Sequence, residues 1–89
     1  MRNLVHVGFD NYISVPHIIA VMQSGSKSVK DRLRTAKSDG LCTSLTRGRA
    51  LKAVIVMENG SVYLSALAPE TLAGRIAAMD AKLGKESVL

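Results

Sequence analysis

The chain has one cysteine, Cys42, no tryptophan, and only Phe9, Tyr12 and Tyr63 as aromatic residues. A lone cysteine has no partner within the chain, so an internal disulfide is excluded and a reducing compartment fits. The paired-cysteine spacings that hold zinc are excluded with it. Three aromatics are too few for the stacking platforms that grip single-stranded nucleic acid, so any nucleic-acid partner is expected to be a duplex held through its phosphates. No apolar run approaches the roughly 20 residues that span a bilayer, and no charged leader precedes an apolar stretch. The expectation is a soluble, cytoplasmic protein. A chain of 89 residues buries one modest core, and its stability is marginal unless subunit contacts add to it, which makes self-association an early expectation.

What the chain has in excess is positive charge, a formal +5 at neutral pH. Its placement is uneven. Residues 27–52 hold Lys27, Lys30, Arg32, Arg34, Lys37, Arg47, Arg49 and Lys52 against Asp31 and Asp39, a balance of +6, while the remaining residues sum to −1. An excess confined to one stretch is the footprint of a surface that binds a polyanion; the plainer alternative is a solvated basic face.

Hydrophobic patterning predicts a mixed domain. Leu4, Val5, Val7 and Phe9 form a β-prone run, Gly8 with Asp10-Asn11 supplies turn chemistry, and residues 12–15 return as a second strand. Pro16 interrupts, and the β-branched run 18–22 reads as a third strand. Ser24-Gly25-Ser26 breaks that run, and Ser28 followed by Asp31 suggests a capping box at a helix start. In this helix Val29, Leu33 and Ala36 share one face, while Lys30, Arg34 and Lys37 repeat at the same spacing as a basic stripe, with Lys27 at its entrance and Gly40 as the stop.

Residues 41–45 form a weak strand, and residues 53–57 a strong one whose unbroken apolar character implies burial on both faces. Asn59-Gly60 marks a tight hairpin into an antiparallel return over 62–67. Pro69 and Glu70 then open a second helix with Leu72, Ile76, Met79 and Leu83 on one face and Gly84 as its stop. The expected class is α+β, a small antiparallel sheet carrying two helices. Residues 1–84 are expected to form the single domain, with 85–89 a frayed tail.

Between the weak strand and the strong one lies Thr46-Arg47-Gly48-Arg49-Ala50-Leu51-Lys52. Glycine lets the backbone turn and approach a ligand, and each flanking arginine offers a planar fork of donors matched to phosphate. The P-loop glycines and Lys-Ser/Thr pair are absent, so nucleotide hydrolysis is not expected. His6, His17 and Cys42 invite a catalytic or metal reading, but their settings argue against one. His6 sits in an apolar strand pattern, His17 follows a proline, Cys42 lies in a run that would bury a thiol, and neither HExxH nor a nucleophile elbow occurs. Met22, Met57 and Met79 read as core filler. The expectation is no enzyme, no metal, no cofactor and no small-molecule substrate.

Val7-Gly8-Phe9-x-Asn11, Thr46-x-Gly48-Arg49, Lys52-Ala53-Val54-Ile55-Val56-Met57 and Leu64-Ser65-Ala66-x-x-Pro69-Glu70-Thr71 stand in an order and spacing that resemble the RemA family of bacterial regulators. The resemblance covers nearly the whole chain. It implies a DNA-binding protein of the type controlling extracellular-matrix and biofilm genes, associated with the nucleoid. It also implies a fold similar to LytTR DNA-binding domains and assembly into a ring of identical subunits. A ring would repeat the basic loop around its rim, so that weak contacts gain avidity and can bend the duplex.

The family pattern in the loop reads Gly-Arg-Arg or Gly-Arg-Lys; here Gly48 and Arg49 match but Ala50 stands third, and Arg47 is expected to replace the lost charge. An arginine found after the second strand in some members is His17 here. The expected DNA-binding residues are therefore Arg47, Gly48, Arg49 and Lys52, with Lys30, Arg34 and Lys37 assisting and His17 secondary. The rival readings are a structural or adaptor ring that binds an acidic protein and an RNA-associated protein, and the salt dependence of duplex binding separates them.

Overall fold

The computed structural model describes residues 4–88, with side chains described for residues 4–79. The elements run β1 (Leu4–His6), β2 (Tyr12–Ser14), a 3-10 turn (Val15–His17), β3 (Ile18–Gln23), α1 (Lys27–Ser38), β4 (Cys42–Ser44), β5 (Ala53–Met57), β6 (Val62–Ser65) and α2 (Pro69–Val88). The class is α+β with two helices, as expected. The strands, however, form two sheets: an antiparallel pair β1-β2, and a four-stranded sheet ordered β3-β5-β6-β4.

The larger sheet is mixed, which corrects the expectation of a single antiparallel sheet. β4 pairs parallel with β6, while β3-β5 and β5-β6 are antiparallel. The cause lies in the hairpin. β5 and β6 must be neighbours across the Asn59-Gly60 turn, so β6 occupies the slot beside β5 and β4 is displaced to the edge. The segment from β4 to β5 then has to cross the end of β6, two strand spacings or about 10 Å. Residues 45–52 make that crossing, and this is why the basic segment is a long exposed loop rather than a turn.

β5 meets the expectation of burial on both faces, since all five of its residues are buried. Strand alternation divides them. Ala53, Ile55 and Met57 face one cluster with Val5, Val7, Ile13, Val15 and Leu72, against which Ile76 and Met79 also pack. Val54 and Val56 face the other with Val29, Ala36 and Val62. The molecule thus has three layers: α1, the four-stranded sheet, and a layer formed by the β1-β2 hairpin and α2.

Local signals differ in several places from the sequence expectation. The α1 cap is Ser26, whose Oγ accepts from Val29 N at 3.3 Å, rather than Ser28. Ser26 is the last residue with extended backbone, the conformation an N-cap requires. The first strand ends at His6, because Gly8, Phe9 and Asp10 turn with positive φ. In the 57–61 hairpin Gly60 takes φ +90°, whereas Asn59 contributes through its side chain, Oδ1 accepting from Ser61 N at 2.9 Å. The last strand stops at Ser65. α2 starts at Pro69 as expected but continues past Gly84, since a glycine within a helix costs about 1 kcal/mol and does not by itself end it. No helix among the described residues is long and apolar enough to cross a membrane.

Candidate nucleic-acid interface

The sheet register gathers one end of the molecule. The C-terminal ends of β3, β4 and β6 and the N-terminal end of β5 lie together, because Gln23 pairs with Ala53, Ala53 with Ser65, and Ser44 with Leu64. Both α1 and α2 begin at this end, adding the positive ends of their dipoles. Loop 45–52 crosses it. Lys52 N donates to Ser65 O at 3.0 Å, while Lys52 O and Leu51 O accept from Ser24 N and Oγ at 3.3 and 3.2 Å, which ties the loop to the chain entering α1.

The loop has a fixed core and an open tip. Leu45 N continues the pairing with Leu64 O at 2.8 Å, and Thr46 is buried, with its Oγ1 3.1 Å from Ser44 Oγ. Arg49 N then donates to Thr46 O at 3.0 Å, closing a four-residue turn whose central residues have positive φ, +51° at Arg47 and +80° at Gly48. Positive φ at both central positions is the type I′ pattern, and a glycine at the second carries it without strain. Among the described residues, nothing lies within 4 Å of where a Gly48 Cβ would stand. A ligand backbone can therefore approach that side closely.

The arginine side chains meet a residue that sequence reasoning read only as part of a β-prone run. The guanidinium carbons of Arg47 and Arg49 lie 5.7 and 5.9 Å from the centre of the Phe9 ring, within cation–π range. Gly8 with Asp10-Asn11 was legible as turn chemistry, but nothing local indicated that the turn would meet a loop so distant in the chain. Among the described residues, Arg47, Arg49 and Lys52 form no ion pair with a carboxylate. An open cleft of about 620 Å³ adjoins Arg49 and Lys52, bordered also by His6, Phe9, Ala66 and Leu67.

The other expected residues are distributed along the molecule. Lys27 opens α1 at the basic end and Lys30 lies in its first turn. Arg34 and Lys37 follow along the helix, Lys37 about 15 Å beyond Lys27 at the usual helical rise. Arg34 is also paired with Asp31 at 3.1 Å. His17 is not brought to the loop: it lies in the 3-10 turn at the opposite end, where Nδ1 meets Glu58 Oε1 and its carbonyl accepts from Glu58 N at 2.9 Å. His6 ties the β1-β2 hairpin to α2 instead of joining a reactive set, its Nε2 accepting from Asp10 N at 3.2 Å and its carbonyl from Arg75 Nη1 at 2.9 Å. No cluster of three or more His, Cys, Asp or Glu side chains occurs among the described residues. Cys42, Met22 and Met79 pack against the cores, and Met57 lies within one.

Together these features define a small α+β protein whose distinctive chemistry is a cationic end built on a rigid, glycine-containing turn. Residues 4–76 match the RemA-like family, described as extracellular matrix regulatory protein A-like. The chain belongs to that family, as its four segments implied. A relative from Lachnoclostridium phytofermentans is 43% identical over 76 residues, covering 85% of this chain and 84% of its own. Relatives from Dehalococcoides mccartyi and Synechococcus elongatus are each 38% identical over 73 residues, covering 82% of this chain and 76% and 84% of their own. All three carry names describing them as candidate regulatory proteins.

Proposed function

We propose that the protein is an oligomeric DNA-binding transcriptional regulator, of the type that controls extracellular-matrix and biofilm genes, and that its basic end holds duplex phosphates. One observation carries the reading: Arg47 and Arg49 stand on an exposed turn over Phe9, with no carboxylate among the described residues to neutralise them. Guanidiniums already ordered and unpaired lose little on meeting phosphate. Gly48 lets the backbone approach, Lys52 and Lys27 extend the positive field, and Lys30 lies at its margin. Arg34 and Lys37 contribute at longer range, and His17 would reach DNA only where the duplex passes the opposite end.

Assembly into a ring belongs to the same proposal, as do kinship with LytTR DNA-binding domains and association with the nucleoid. The support for assembly is physical. β3 is an edge strand whose Ile19 is 60% exposed, and a small domain with an open edge gains from a neighbour. Repetition of the basic turn would then multiply weak contacts into avidity.

The experiment compares duplex-DNA binding by the native chain and by Arg47→Ala/Arg49→Ala across a salt series, with solution size measured in parallel. The double variant should bind more weakly, and its logarithmic salt slope should fall by about two. Unchanged binding at native size refutes the loop assignment. A strictly monomeric native chain at working concentration removes the avidity argument, and stronger binding to duplex RNA or to an acidic protein than to DNA redirects the assignment.

A further inference from the structure

The turn that carries Phe9 is more strained than a connection between two short strands requires. Gly8, Phe9 and Asp10 take positive φ in succession, +112°, +50° and +64°. Only the first is a glycine; at the other two Cβ crowds the backbone. Strain of this kind persists where the surroundings over-determine it. Here they do. Asn11 Nδ2 donates to Gly8 O at 3.0 Å and to Phe9 O at 3.2 Å, Asn11 N donates to Gly8 O at 3.0 Å, and Val7 N donates to Asn11 O at 2.9 Å. Asp10 N donates to His6 Nε2 at 3.2 Å, and buried Ser65 Oγ donates to Val7 O at 2.9 Å, fixing the turn to the sheet.

This rigid frame does not serve to bury Phe9. The side chain is half-buried and belongs to neither hydrophobic cluster. Its notable partners are the two guanidiniums. Two like charges brought close repel, and an aromatic face shared between them offsets part of that repulsion while limiting the rotamers of two long side chains.

We propose that Phe9 is a positioning residue for the Arg47-Arg49 pair: the strained 8–10 turn exists to present an aromatic face that orders both guanidiniums before phosphate arrives. The consequence for affinity rests on the DNA-binding reading above, whereas the ordering itself does not.

The test uses Phe9→Leu, Phe9→Met and Phe9→Tyr, each in the native chain and in the Arg47→Ala/Arg49→Ala background, with solution size and unfolding midpoint as controls. In the free protein, NMR should find the Arg47 and Arg49 side-chain protons displaced by the ring current. Phe9→Tyr should preserve the displacement, and the two aliphatic variants should abolish it. With a duplex-DNA probe at fixed salt, Phe9→Leu and Phe9→Met should bind roughly 5- to 20-fold more weakly, the cost of ordering two released side chains. Phe9→Tyr should stay within about twofold of native.

In the arginine-free background the aliphatic variants should cause no further loss. An equal loss in both backgrounds overturns the proposal in favour of a purely structural role. So does native affinity in folded Phe9→Leu and Phe9→Met when the double arginine variant is weak, or the absence of ring-current displacement in the native chain. If the double arginine variant binds like the native chain, the DNA-binding reading fails instead, and the ring-current result alone decides the positioning claim.

Discussion

Substituting Ser65→Ala should destabilise the fold by about 2–4 kcal/mol, far more than a serine-to-alanine change usually does. Ser65 is fully buried, and its Oγ both donates to Val7 O at 2.9 Å and accepts from Leu67 N at 3.1 Å. Alanine leaves two polar groups without their partner. Val7 is itself fully buried, so its carbonyl cannot turn to water, and an orphaned buried acceptor costs roughly 1–3 kcal/mol. Leu67 is only half-buried, so its N–H recovers part of its loss from solvent and adds about 1 kcal/mol. The change in volume is a single oxygen and adds little.

The assay is urea unfolding at one fixed protein concentration, because self-association would make stability concentration-dependent. With the shallow denaturant slope of a small domain, the midpoint should fall by about 2 M at unchanged slope. Ser38→Ala, at the exposed end of α1, should stay within about 0.5 kcal/mol of native. A Ser65→Ala loss no larger than that control would refute the reasoning, since it would mean that water or a relaxed backbone replaces the hydroxyl and that this bridge does not hold the hairpin layer to the sheet.

Gly48→Ala should cost about 1 kcal/mol in urea unfolding through positive φ alone, since open space surrounds the new methyl, and should weaken duplex binding more visibly by shifting Arg47 and Arg49. Ser26→Ala should lower stability by about 1 kcal/mol through loss of the α1 cap, read by the same unfolding, whereas Ser28→Ala should cost less. Lys52→Ala should reduce the salt slope of duplex binding by about one, and Lys37→Ala should leave it nearly unchanged, because the first lies at the loop end of the sheet and the second near the far end of α1.

What the sequence by itself determined acts over a few residues. The apolar run of β5, the amphipathic faces of α1 and of α2 as far as Met79 (Leu83 lies outside the described side chains), Pro69 at a helix start and Asn59-Gly60 at a hairpin express local dihedral preference and periodicity, and each is where the chain predicted it. The charge excess between residues 27 and 52 was equally legible, since composition needs no fold. What only the tertiary structure decided depends on which distant segments share a core. Placing β6 between β5 and β4 made the sheet mixed and stretched residues 45–52 into an exposed crossing. Burying the β1-β2 hairpin against the odd-numbered face of β5 carried Phe9 to Arg47 and Arg49, and made Ser65 a bridge between layers. The same register put His17 beside Glu58 at the opposite end from the loop, and the length of α1 spread a contiguous run of positive charge along the molecule. Spacing along the chain fixes which residues share an element's face, but only packing fixes which elements share an end.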